Sequence, residues 1–253
     1  MILTDMKIEL LLQKKRTLVT GGSRGLGRAI CAHFASHGAD VAFTYSSDEN
    51  AAAETAARIN AHDRKALAFK VSVLDAVGIE VMVKEIERQW SGLDILVNNA
   101  GVSQPLPVAL MEEEDWDRVM DINMKGQFLT ARAVLKTMIR QKSGCILNIG
   151  SLAGVRLIEA PVHYSASKAA VKGFTESLCK EVGRYNIRVN CLAPGLLEGG
   201  VANLPEHRLR DYLKHVPLHR RGTFEEMAKL AAFMVSDKNS YMNGATIVAD
   251  GGL

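Results

Sequence analysis

A hydroxyl, a phenol and an ammonium fall within one short stretch of this sequence, as Ser151, Tyr164 and Lys168. Beyond Ser151, the residues Ala166, Ala169, Ala170, Val171, Phe174 and Leu178 recur at helical spacing, which predicts a helix carrying Tyr164 and Lys168 one turn apart on one face. A free phenol titrates near about 10, and a cation on the next turn favours the phenolate. Such a pair can give a proton to a developing alkoxide, or take one from an alcohol, near neutral pH. A Tyr four residues before a Lys is also an ordinary helix-surface pair, so the rest of the chain must decide. Of the five tyrosines, only Tyr164 has a lysine at that offset.

The deciding signal lies near the N-terminus. Thr17 to Thr20 reads as a short apolar strand and opens onto Gly21-Gly22-Ser23-Arg24-Gly25-Leu26-Gly27, before a helical run from Ala29 to His37. A strand, a glycine turn and a helix make a phosphate cradle, because backbone N–H groups at a helix start reach a pyrophosphate only where side chains are absent. Gly21 to Gly25 also fits G-x-S-x-G, the nucleophile elbow of hydrolases. That elbow follows several strands, whereas only one precedes it here.

The elements that would position these residues alternate. Strands are predicted at 41–44, 66–71, 93–97, 145–149, 188–192 and 245–248, and helices at 51–59, 77–90, 113–139, from Tyr164 onward, and 225–235. This order predicts an α/β fold, a Rossmann-type doubly wound parallel sheet of about seven strands with helices on both faces, in a single domain over residues 1–253. The long irregular segment at 194–223, rich in Pro and Gly, reads as a loop excursion over the substrate.

Composition excludes several classes. A net charge of +3, with no basic run interleaved with aromatics, argues against a nucleic-acid partner. Cys31, Cys145, Cys179 and Cys191 are too far apart for a metal or redox motif, so no metal site is expected and a reducing cytoplasm is the simplest setting. Met1 to Leu12 contains Asp5, Lys7 and Glu9 with no cleavage signal, and no stretch reaches the roughly 20 apolar residues of a membrane span, so a soluble, unprocessed protein is expected.

Taken together, Thr20-Gly21-x-x-x-Gly25-x-Gly27, Asn98-Asn99-Ala100-Gly101, Asn123, Ser151, Tyr164-x-x-x-Lys168, Pro194-Gly195 and Asp250-Gly251-Gly252 resemble the short-chain dehydrogenase/reductase family, most closely its 3-oxoacyl-acyl-carrier-protein reductases. The resemblance implies that Tyr164 is the acid/base, that Lys168 holds the nicotinamide ribose, that Ser151 binds the substrate carbonyl, and that Asn123 fixes a helix distortion and a proton-relaying water. It further implies cofactor contacts from Gly21, Ser23, Arg24, Gly25, Leu26, Gly27, Tyr45, Ser46, Ser72, Val73, Asn99, Ala100, Gly101, Pro194, Gly195 and Leu197. Two positions depart from the family pattern: Ser72 stands where an acidic or amide residue often meets the adenine, and Gly199 where a Thr usually follows Pro-Gly.

The implied activity is NADPH-dependent reduction of a ketone, with a 3-oxoacyl thioester on a carrier protein or coenzyme A as substrate. An alcohol, sugar or steroid dehydrogenase and a non-catalytic cofactor-binding protein are the alternatives. NADPH rather than NADH is expected because Thr44-Tyr45-Ser46-Ser47 ends the second strand without a carboxylate, Asp48 reads as a helix cap, and Arg24 sits in the turn where the resembling NADP-dependent enzymes often carry a basic residue against the 2′-phosphate. A homotetramer is expected from the resemblance. Arg140, Lys142, Arg184, Arg208, Arg210 and Lys214 are basic positions available to an acyl carrier protein. His163 reads as a supporting or surface residue, since neighbours on a helix point about 100° apart. Glu112 to Asp115 reads as a helix-start charge run, and Trp90 and Trp116 as core or interface residues.

Overall fold

Seven short apolar runs become strands: β1 (Arg16–Val19), β2 (Asp40–Tyr45), β3 (Ala66–Lys70), β4 (Ile95–Asn98), β5 (Gly144–Ile149), β6 (Ile187–Pro194) and β7 (Thr246–Ala249). In the computed structural model, which describes residues 10–156, 158–202 and 204–253, they form one sheet in the order β3-β2-β1-β4-β5-β6-β7, every pair parallel. The run from Met1 to Glu9, read above as lacking a leader, lies outside the described residues. Among the described residues no helix is long and apolar enough to cross a membrane.

The helices are α1 (Gly25–Ser36), α2 (Glu49–Asn60), α3 (Ala76–Trp90), α4 (Glu113–Met120), α5 (Gly126–Gln141), α6 (Val162–Val182), α7 (Glu206–His215) and α8 (Phe224–Val235). Successive strand side chains enter opposite layers. Val19, Ile95, Val97, Cys145 and Leu147 pack with α1, α2 and α8, whereas Leu18, Leu96 and Ile146 pack with α3, α5 and α6. Covering both faces explains why the central strands read as continuous apolar runs rather than alternating ones. Each large aliphatic side chain buried this way contributes about 1.5–3 kcal/mol.

Helix starts are set by local chemistry. Asp48 accepts from the Ala51 N–H at 2.9 Å and Asp75 from the Gly78 N–H at 2.9 Å, so each carboxylate caps its helix as its position predicts. The acidic run before α4 is likewise structural, with Asp115 accepting from the Glu112 N–H. All four cysteines are buried and free.

Two expectations need correction. The predicted helix over 113–139 is not continuous: α4 and α5 are separated by a π-helical turn, Asp121–Lys125. The excursion at 194–223 is not irregular throughout, because it contains α7. None of the α7 residues is buried, so apolar periodicity is faint there, although Pro205 at its N-terminus marks a helix start. The excursion is closed at its base by Gly222 N–H donating to the Leu196 carbonyl and Glu198 N–H to the Gly222 carbonyl, both at 3.0 Å. Trp116, expected in the core or at an interface, is 36% exposed.

The basic positions named above do not form one patch beside Ser151 within a chain. Arg140 and Lys142 lie where α5 leads into β5, so the length of that strand, about 20 Å, separates them from Ser151. Arg184 follows the end of α6, about 30 Å along the helix axis from Tyr164. Arg208, Arg210 and Lys214 are on α7, on the Ser151 side, but pair with Glu159 (3.0 Å), Glu206 (3.5 Å) and Asp211 (2.7 Å). Arg140 pairs with Glu87.

Candidate active site

The residues singled out in the sequence meet at one edge of the sheet. Gly21 to Gly27 follow β1, Tyr45 ends β2 with Ser46 next, Ser72 and Val73 follow β3, Asn99 to Gly101 follow β4, Ser151 follows β5, and Pro194 ends β6 ahead of Gly195 and Leu197. Their common edge is the carboxyl end of the strands. Between β1 and β4 the strand order reverses, and the crevice at such a switch point is where open α/β sheets bind ligands.

The glycine turn is shaped by contacts that side chains would block. Gly21 and Gly25 have φ of +65° and +53°, and a Cβ on Gly27 would stand 2.2 Å from the Gly21 carbonyl oxygen. Across the crevice the β4 loop is fastened to this turn. The Thr20 hydroxyl accepts from the Asn99 and Ala100 N–H groups at 3.0 Å each, while the Asn99 carboxamide donates to the Thr20 and Gly21 carbonyls at 3.0 and 3.1 Å. Asn99 therefore acts first as a staple of the turn. The extended Arg24 precedes α1 without a side-chain cap, leaving the first-turn N–H groups of α1 facing the crevice, where an anion is favoured. These features fit a dinucleotide pyrophosphate.

Arg24 is exposed, and its guanidinium has no hydrogen bond or ion pair among the described residues. One residue that the sequence reading passes over supports it. Arg28 donates to the Ser23 carbonyl at 2.6 and 3.0 Å, contacts the Thr55 hydroxyl at 3.2 Å and pairs with Glu54 at 2.7 Å, tying the turn to α2. Helical spacing alone gives no sign of this, because Arg at that position reads as a surface charge. Of the departures from the family pattern, the Ser72 hydroxyl accepts from the Leu74 N–H at 3.2 Å, and Gly199 adopts φ +69°, a backbone state that disfavours a Thr.

At the other end of the crevice, the π-helical turn places Asn123 fully inward. Its carboxamide accepts from the Val102 N–H at 2.8 Å and donates to the Val102 carbonyl and the Ser167 hydroxyl at 2.9 Å each. The helix distortion expected at Asn123 is thus present, clamped to the β4 loop on one side and to α6 on the other. Gly101 lies between: a Cβ there would be 3.2 Å from Asn123 Oδ1 and 3.5 Å from Lys168 Nζ.

Lys168 is 4% exposed, and its ammonium donates to the Ile149 carbonyl at 2.8 Å. Burial pulls its pKa down to about 8. The ammonium stands 5.8 Å from the centre of the Tyr164 ring. Burial raises the pKa of the phenol, while a hydrogen bond with the Ser151 hydroxyl opposes that rise. Desolvation thus outweighs the Ser151 hydrogen bond, and the phenol is held protonated, ready to donate. Ser151 caps a short 3-10 turn, Leu152–Gly154, that is pressed onto α6: a Cβ on Gly154 would meet the Lys168 backbone at 2.3 Å. His163, expected to be supporting or on the surface, is wholly buried, and neither ring nitrogen has a partner among the described residues.

Hydroxyl, phenol and ammonium therefore stand together at the sheet edge that carries the glycine turn. Such an arrangement can stabilise charge building on a carbonyl oxygen and deliver a proton to it. The chain as a whole is similar to known proteins. A family model described as Enoyl-(Acyl carrier protein) reductase matches residues 21–253. Curated relatives include the 3-oxoacyl-acyl-carrier-protein reductases FabG of Chlamydia muridarum, 37% identical over 96% of this chain and 98% of the relative, and of Staphylococcus aureus, 36% identical over 94% and 98%. Among solved structures, a short-chain dehydrogenase from Burkholderia cenocepacia in complex with NADP superposes with a TM-score of 0.89 at 32% identity, covering 96% of this chain and 98% of that one. An NAD+-bound xylitol dehydrogenase superposes with a TM-score of 0.90 at 28% identity, covering 95% and 99%.

The glycine turn yields a direct test. Gly27→Ala forces a Cβ into the Gly21 carbonyl, so the turn must open. Dinucleotide affinity, measured by fluorescence titration, is expected to fall by at least about tenfold, the equivalent of one lost charge-assisted contact. Unchanged affinity would show that the turn does not hold the pyrophosphate.

Proposed function

The chain belongs to the short-chain dehydrogenase/reductase family, and from that premise we propose that it is an NADPH-dependent ketoreductase acting on a 3-oxoacyl thioester. The observation that carries the reading is the grouping of Ser151, Tyr164 and buried Lys168 at the edge that bears the glycine turn. The names of the full-length curated relatives support the acyl substrate and an acyl carrier protein as its bearer.

In this reading the nicotinamide cofactor, when bound, supplies the hydride. The turn from Gly21 to Gly27 holds its pyrophosphate, while Tyr45, Ser46, Ser72 and Val73 face its adenosine end. Ala100, Gly101, Pro194, Gly195 and Leu197 line the nicotinamide end, with Lys168 on the ribose. The Ser151 hydroxyl donates to the substrate carbonyl oxygen and holds it beside Tyr164. As charge grows on that oxygen, the Tyr164 phenol gives up its proton to it, and the Lys168 ammonium stabilises the phenolate left behind. Asn123 holds the π-helical turn against Ser167, keeping the approach to Lys168 open for proton resupply.

The whole chain is proposed as a single catalytic domain working in the cytoplasm as a homotetramer. Exposed apolar side chains on α3 (Val77, Val81) and α5 (Phe128) supply surface for such an assembly. A light-scattering mass of one chain at micromolar concentration would refute it.

The preference for NADPH rests on the free Arg24 guanidinium and on a second strand whose next carboxylate, Asp48, is spent as a helix cap. The test compares kcat/KM for NADPH and NADH with an acetoacetyl thioester, in the parent and in Arg24→Ala. A guanidinium–phosphate pair contributes about 1.5–3 kcal/mol, so the parent should favour NADPH by about ten- to a hundredfold and the variant should lose most of that margin. A parent that prefers NADH, or a variant with the parent's preference, would refute the assignment.

A further inference from the structure

Gln127 is 3% exposed and lies one helical turn beyond Asn123, on the same inward face. Its Nε2 reaches the Ile149 carbonyl at 3.5 Å, the same oxygen that accepts the Lys168 ammonium at 2.8 Å. Its Oε1 is buried with no donor among the described residues. A half-satisfied carboxamide costs stability compared with an apolar side chain of the same size, so its presence here calls for a physical reason. The surroundings are polar and fixed. Asn98 donates to Asn148 at 2.9 Å and to the Gln127 carbonyl at 3.4 Å, and Asn148 donates to the Thr175 hydroxyl at 2.9 Å. This buried chain runs from β4 through β5 to α6, directly beneath the residues that hold Lys168.

We propose that Gln127 is a positioning residue for Lys168: by sharing the Ile149 carbonyl with the ammonium, its carboxamide sets where the lysine's backbone acceptor points and how strongly that acceptor holds the charge. This rests on the reading of Lys168 as the cation that serves Tyr164 and the cofactor ribose. The Nε2 group turns the positive end of its dipole toward a carbonyl already engaged by a cation, and so works against the charged form of the lysine. The titratable groups facing Lys168 are Tyr164 on α6 and the Cys191 thiol from β6. Neither the π-helical turn nor α5 brings a charged side chain to the ammonium; the carboxamide of Asn123 on that side is engaged by Val102 and Ser167, whereas that of Gln127 reaches the carbonyl that holds the lysine.

Three variants test the inference. Gln127→Met fills the same volume without the amide, and is expected to keep the parent's melting temperature or exceed it while kcat/KM falls about fivefold or more, the loss of roughly one neutral hydrogen bond. Gln127→Glu places a carboxylate toward the ammonium and holds it charged to higher pH, so the pH–rate profile should move upward by about half a unit or more. Lys168→Met is the control, expected to be inactive. The proposal is overturned if Lys168→Met is inactive while both Gln127 variants match the parent in kcat/KM and pH profile. It is equally overturned if Gln127→Met loses activity only in step with melting temperature and the Glu profile does not move. Should Gln127→Met fail to fold, the Glu profile decides alone. An active Lys168→Met would instead bring down the reading of the lysine itself, a distinct result.

Discussion

A lysine ammonium buried to 4% exposure and held by one backbone carbonyl is the constraint on which the site depends. Removing a charge from water is costly, and burial alone draws this pKa down to about 8. The fold offsets the cost by bringing the end of β5, the start of α5 and the first turns of α6 to one point. That requirement explains features that otherwise look unrelated. Gly154 must lack a side chain so that the Ser151 turn can press on the lysine's backbone, and Gly101 must lack one so that the space beside Nζ stays clear. The π-helical turn sets Asn123 where it clamps both the β4 loop and Ser167.

The two ends of the crevice are mechanically joined. Thr20 and Asn99 bind the glycine turn to the β4 loop, and that loop continues through Gly101 to Val102, which Asn123 grips from both its N–H and its carbonyl. The surface that would hold a pyrophosphate and the side chains that would move a proton are thus positioned by one continuous run of hydrogen bonds. Preorganisation of this kind is what lets fixed dipoles stabilise charge without rearranging during the reaction.

Much of this was legible in the residues. The glycine turn between strand and helix, and Tyr164 one turn before Lys168, announced the sheet edge and the acid/base pair, because both depend on local spacing. The break of the long helix at Asp121–Lys125 was not visible in its apolar periodicity, which runs through a π-helical turn almost unchanged; only the resemblance at Asn123 pointed to it. Helix α7 escaped because none of its residues is buried. Arg28 and Gln127 carried no signal at all, since what marks them is a carbonyl reached across the fold.

In the proposed reaction Tyr164 is the group that delivers the proton to the substrate oxygen. The most direct measurement therefore compares Tyr164→Phe with the parent for turnover of an acetoacetyl thioester and for NADPH affinity. General acid catalysis predicts a fall in kcat of about 10²–10⁴-fold with cofactor affinity and melting temperature nearly unchanged, because the ring packing is kept. A Phe variant retaining more than about a tenth of the parent's turnover would contradict the account.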